Sequence, residues 1–166
     1  MTQPQGAKAL IATGEAAQRL GIGRSTLQNM FDYIPYLYVW KRETRLFPAS
    51  YIDAYATFLR QNSKQATVPT ARAFWATEEA QRLYQEAQDR ITSGLSGITL
   101  NAGELMKLLC IGRMTITSWH QAGVFQVVSQ TVKPKRNRGK GPKQVLLIPC
   151  REVRQALVWK APTTRA

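Results

Sequence analysis

The chain has 166 residues, 44% of them hydrophobic, and a formal net charge of +13. That length allows one domain or two small ones, and no apolar run is long enough to span a bilayer. So large a basic excess points to an anionic partner, nucleic acid or an acidic membrane surface. A neutral stretch over 66–97 (net −1) separates two basic ends, +4 over 1–65 and +10 over 98–166.

Met1–Lys8 has no signal-peptide core, and residues 1–9 read as a flexible N-terminus. From Gly14 the chain reads GEAAQRLGIGRSTL. Ala16, Ala17 and Leu20 make the inner face of a first helix, small enough for close packing. Gly21 suits the left-handed residue that ends a helix, and Ile22 plugs the gap to a second helix. There Leu27, Met30 and Phe31 face the core, which turns Arg24, Ser25, Gln28 and Asn29 outward. Tyr36–Trp40 and Arg45–Phe47 read as strands around a tip that contains Lys41, Arg42, Glu43 and Thr44. After Pro48, which fits the first turn of a helix, Tyr51, Ile52, Tyr55, Phe58 and Leu59 follow helical spacing. This first unit spans 10–62.

Residues 63–97 read as a linker with one helix, Thr70–Ile91, whose stripe is Ala76, Ala80, Leu83, Tyr84, Ala87 and Ile91. Gly94 and Gly97 end it. A connector packed on one or both units is the expectation, with a dimerisation helix as the alternative.

The pattern then recurs. Residues 103–116 read GELMKLLCIGRMTI, offset by 89 from 14–27, with seven of 14 positions identical. Chance would give roughly one identity. Leu105, Leu108, Leu109, Ile111, Ile116 and Trp119 face inward, and Arg113, Met114, Thr117, Ser118 and Gln121 face out. Cys110 stands where the first copy has Gly21, which leaves room for a less strained turn. Val124–Val132 and Gln144–Ile148 flank a long basic hairpin tip that holds Lys133, Lys135, Arg136, Arg138, Lys140 and Lys143 and no acid. After Pro149 a second closing helix runs from Cys150 to Lys160, with Val153, Ala156 and Leu157 inward. This second unit spans 98–160, and 161–166 reads as a flexible tail.

Two arginines expected to be exposed at one repeat position, each with polar neighbours and a basic hairpin behind, point to a double-stranded DNA interface over a merely solvated helix face. Arg pairs with guanine, Gln or Asn with adenine, and Ser or Thr with bases or phosphates. The candidate DNA-binding residues are therefore Arg24, Ser25, Gln28, Asn29, Lys41, Arg42, Arg45, Arg113, Met114, Thr117, Ser118 and the six basic residues from Lys133 to Lys143. Catalysis is not expected: no nucleophile–base–acid set or phosphate-cradling loop is legible. His120, the sole histidine, falls in the second helix of unit two, where DNA contact or partial burial is expected. One His and two Cys make no zinc site, so neither metal nor cofactor is expected. Cys110 and Cys150 read as core thiols of a reducing cytoplasm.

The sequence GEAAQRLGIGRSTL, then a short hairpin, then RLFPASYIDAYATFL, resembles the excisionase and MerR-type winged helix-turn-helix superfamily. The second copy resembles it more loosely and has a longer wing. The resemblance implies a mainly α fold with small β-hairpin wings, in two tandem units joined by a central helix. It also implies DNA binding through the second helix and wing of each. Regulators of the MerR type usually add a long dimerisation coiled coil and an effector domain, whereas this sequence shows neither heptads long enough for the one nor a metal or drug pocket for the other. The expected role is a sequence-specific transcription regulator with two reading heads, cytoplasmic and nucleoid-associated, on neighbouring major grooves. A homodimer or higher assembly on DNA is left open. The alternatives are an architectural or assembly factor (excisionase, partition or packaging adaptor), and a chain whose one unit binds DNA while the other binds a protein.

Overall fold

The computed structural model describes residues 8–40, 42–132 and 143–163. Among them are eight α-helices and two small antiparallel sheets, a mixed architecture. The first unit runs β1 (Leu10–Ala12), α1 (Thr13–Leu20), α2 (Arg24–Gln28), a 3-10 turn (Phe31–Tyr33), β2 (Tyr36–Val39), β3 (Thr44–Pro48) and α3 (Ala49–Gln61). Then come α4 (Val68–Trp75) and α5 (Glu78–Gly94). The second unit repeats the order as β4 (Thr99–Asn101), α6 (Ala102–Leu109), α7 (Arg113–Gln121), β5 (Val128–Val132), β6 (Lys143–Pro149) and α8 (Cys150–Ala156), followed by β7 (Leu157–Lys160).

The repeat holds at the level of single hydrogen bonds. β1 pairs with β3 as Leu10↔Pro48 and Ala12↔Leu46, and β4 pairs with β6 as Thr99↔Pro149 and Asn101↔Leu147. The Ala49 N–H donates to the Ala9 carbonyl and the Cys150 N–H to the Ile98 carbonyl, both at 2.9 Å. Gly21 ends α1 at φ 69°, and Cys110 ends α6 at φ 57°. The turn is therefore kept in the second copy, not relaxed, and a non-glycine residue accepts the left-handed backbone. Beyond each turn the next N–H reaches back over the helix end, Ile22 to Ala17 O (3.0 Å) and Ile111 to Met106 O (3.2 Å). Pro48 and Pro149 sit at the N-cap, one residue before the helices they introduce.

Several expectations need correction. The second helix of unit one stops at Gln28, and Asn29 is its C-cap. The single linker helix is two, broken where the Thr77 hydroxyl accepts the Ala80 N–H and starts α5. Ala76 caps α4 and is exposed, outside the buried stripe. The closing helix of unit two ends at Ala156. Leu157–Lys160 turns into a strand that pairs with β2 from Val39↔Leu157 to Tyr36↔Lys160. Its inward residues are Leu157 and Trp159, and the Trp159 ring meets Tyr84 edge-on at 5.6 Å. Of the expected tail, Ala161–Thr163 is held: Pro162 is buried and the Thr163 N–H donates to Asp32 O at 2.7 Å. Cys150 is buried as expected, while Cys110 is only half-buried.

The first unit's sheet, in the order β1-β3-β2-β7, is a shared wall. Strand alternation sends Ile11, Tyr36 and Phe47 to one face, against Ala16, Ala17, Leu27 and Ile52. It sends Leu10, Leu37, Val39 and Leu46 to the other face, against Leu105, Leu109, Trp119 and Val153 of the second unit. Phe74 of α4 packs on Tyr51, Tyr55 and Phe58. Helix α5 spans both cores, with Ala80 and Leu83 in the first and Ile91 in the second. Near its end Arg90 donates to the Leu108 and Lys107 carbonyls, satisfying the open end of α6. The connector thus packs on both units.

Candidate nucleic-acid interface

In each unit a groove opens between the first helix start, the second helix and the hairpin. In unit one it is lined by Ala12, Thr13, Gly14, Arg24, Gln28, Phe31 and Glu43–Arg45, about 350 Å³ in volume. In unit two it is lined by Asn101–Gly103, Arg113, Ile116, Thr117, His120, Val127, Leu146 and Ile148, about 410 Å³. Position for position these are one groove built twice. Gly14 matches Gly103, Arg24 matches Arg113, Gln28 matches Thr117 and Phe31 matches His120 at the offset of 89. Beyond the longer second hairpin, Arg45 matches Leu146.

The Arg24 side chain lies across the bare backbone of Gly14, where a Cβ would come within 2.6 Å of its Nη2. A side chain at 14 would push the flexible end of Arg24 aside. At Gly103 the nearest side-chain atom to such a Cβ is Asn101 Oδ1 at 3.3 Å, so Arg113 does not lie across the glycine in this way. Ser25, Gln28, Asn29, Met114 and Thr117 are exposed, with Met114 at 86%, and Ser118 is half-buried.

Arg45, on β3, is not a free cation. It is half-buried, with its guanidinium carbon 4.4 Å from the Phe31 ring centre, 5.3 Å from Tyr36 and 5.6 Å from Tyr38. Planar stacking of this kind suits arginine and not lysine. Its Nε is buried without a hydrogen-bond partner. Arg42 reaches out of its own unit: Nη2 donates to Ser118 Oγ on α7 at 2.9 Å. Lys41, Lys133, Lys135, Arg136, Arg138 and Lys140 lie outside the described residues, and Lys143 is placed by its backbone at the start of β6.

Among the candidates, Arg24, Gln28 and Arg45 come together in the first groove, Arg113 and Thr117 in the second, and Arg42 and Ser118 at the junction of the units. The residues that sequence reasoning passed over are Gly14, the aromatic floor under Arg45, and Leu146. Gly14/Gly103 was visible as an identical repeat pair. The aromatic floor gave no such signal, since Phe31, Tyr36 and Tyr38 read equally well as core. Chemically, the first groove offers two positioned guanidinium groups beside an amide and one carboxylate, a surface for phosphates and base edges. The second groove offers one guanidinium and an imidazole over an apolar floor. No helix among the described residues is long and apolar enough to cross a membrane. Comparison with family models, with curated proteins and with solved structures gives no match to this chain.

Proposed function

We propose that the chain binds double-stranded DNA through both units, each a winged helix-turn-helix, and acts as a sequence-specific transcription regulator with two reading heads. The observation that carries this reading is the repeated groove, with an exposed arginine at the same point of the second helix and a hairpin beside it. The net charge of +13 and the resemblance to excisionase and MerR-type proteins support it. Arg24 and Arg113 read bases, Ser25, Gln28, Asn29, Met114, Thr117 and Ser118 complete the two contact faces, and the basic 133–143 segment neutralises phosphates.

A footprint on genomic fragments tests the proposal. A regulator protects one short site with a large preference over random DNA. Protection of many repeats with little discrimination would instead indicate an architectural or assembly factor. Arg24→Ala and Arg113→Ala should each weaken binding at the cognate site by about 1–3 kcal/mol. Affinity that does not change with salt would overturn the phosphate contacts.

A second reading has one observation in its favour: the second groove is floored by Ile116, Val127, Leu146 and Ile148. In that reading unit two docks a protein and only unit one holds DNA. Arg113→Ala would then leave DNA affinity unchanged, and neutralising the 133–143 segment would matter less than losing Arg24.

A further inference from the structure

The second helix of unit two has hairpins on both of its flanks, and one of them belongs to the other unit. At 100° per residue, Ile116 and Trp119 of α7 point into the core, where both are buried. Met114, Thr117 and Gln121, all exposed, form the opposite ridge. Arg113 and His120 lie on the flank that faces the groove toward β6. Ser118 lies on the other flank, and the group that meets it is Arg42 of the β2–β3 hairpin. This placement is held from several sides. The Trp40 N–H donates to Ala156 O at 2.8 Å, β2 pairs along its length with β7, and Leu37 and Val39 sit in one core with Trp119.

We infer that Arg42 serves the DNA surface of the second unit and not that of its own, so that the α7 ridge and the first hairpin tip form one composite contact face for a duplex. The inference rests on the DNA-binding reading above. A helix in a major groove has a phosphate strand along each side. Strand β6 lies along the Arg113–His120 side of α7, and on the other side the cation is supplied by Arg42, whose donor group faces solvent beside Ser118. Because β7 and the shared core fix the two units, the two heads cannot adjust their spacing independently. The protected DNA is then one continuous stretch of fixed length, not two half-sites joined by a variable gap.

The test is a hydroxyl-radical footprint of the intact chain on a fragment selected from random DNA, with Arg24→Ala and Arg113→Ala marking the ends read by each unit. Arg42→Ala should weaken binding about tenfold at 0.1 M salt and make the salt slope shallower by about one unit. Its lost protection should fall within the segment that Arg113→Ala exposes. Arg42→Lys, which keeps the cation at the same place, should restore most of the affinity. A loss that maps to the Arg24 segment overturns the inference while leaving DNA binding intact. So does an unchanged salt slope, or an affinity loss that follows a fall in the denaturation midpoint. A wild-type chain that protects no DNA overturns the DNA-binding reading itself.

Discussion

Units one and two share a backbone plan and differ in what they do with it. Unit one fills its groove with charge held on aromatic rings, and its outer sheet edge is closed by β7. Unit two floors the same groove with aliphatic side chains, and β5 has β6 as its one neighbour among the described residues. The helix starts differ too. Asn101 and Glu104 form a reciprocal capping box on α6, with N···O distances of 2.8 and 3.1 Å. At the matching place α1 starts from Ala12 with no side-chain cap, and Glu15 instead binds Arg19 at 3.0 Å. The lesson is that register, turn and strand pairing define the repeat. Caps, groove lining and edges diverge between the two copies.

The comparison breaks most sharply at the shared wall. Leu37 is fully buried and belongs to the core that includes Trp119 and Val153. Leu37→Ala should cost about 2–5 kcal/mol and shift a single cooperative transition in chemical denaturation. Two separated transitions would mean that the units fold independently. The turns come next. Gly21→Cys, which copies the second unit, should destabilise by about 1–2 kcal/mol, and Cys110→Gly should stabilise by a comparable or smaller amount. Equal and opposite shifts in midpoint would establish the two turns as equivalent.

A smaller effect is expected at the helix starts. Asn101→Ala should lose about 1 kcal/mol, and Ala12→Asn should gain less, because Glu15 is already held by Arg19. An effect of similar or smaller size concerns the phenols of Tyr51, Tyr55 and Tyr84. Burial pushes the Tyr51, Tyr55 and Tyr84 hydroxyls above the ordinary tyrosine range. Above about pH 10 the unfolded chain releases phenol protons that the native state keeps, so stability is complete below that pH and falls as pH rises further. Tyr51 Oη is buried without a partner, whereas Tyr55 Oη is 2.7 Å from Thr70 Oγ1. Tyr51→Phe should therefore be neutral or stabilising by less than about 1 kcal/mol and should flatten the alkaline decline, while Tyr55→Phe should cost about 0.5–1.5 kcal/mol. Urea melts at pH 7 and pH 10.5 measure both.

Much of the repeat was legible because it depends on local backbone demands. Gly21 and the Ile22 plug announce the turn, and Pro48 and Pro149 announce the closing helices. What was hidden depends on distant packing. Leu157 continues the spacing of Val153 and Ala156, so a helix and a strand fit the sequence equally, and only the open edge of β2 decides between them. Met30 and Phe31 continue the spacing of Leu27, yet α2 ends at Gln28 and a 3-10 turn carries Phe31 beneath Arg45. The break between α4 and α5 had a readable sign, Thr77 before Glu78 and Glu79, a favourable start for a new helix. Of the contact candidates, exposure of Arg24, Gln28, Arg113 and Thr117 followed from the helix faces alone. The stacking of Arg45 and the reach of Arg42 to Ser118 did not, because each is set by a residue on another element.

The β2–β7 pairing joins residues about 120 positions apart. Closing so large a loop is slow in relation to forming the local helices and hairpins. During synthesis, the first unit must wait with one edge of Tyr36–Val39 unpaired until Leu157–Lys160 has left the ribosome. Any chain interrupted before that point carries an adhesive edge, and so is prone to aggregation or clearance.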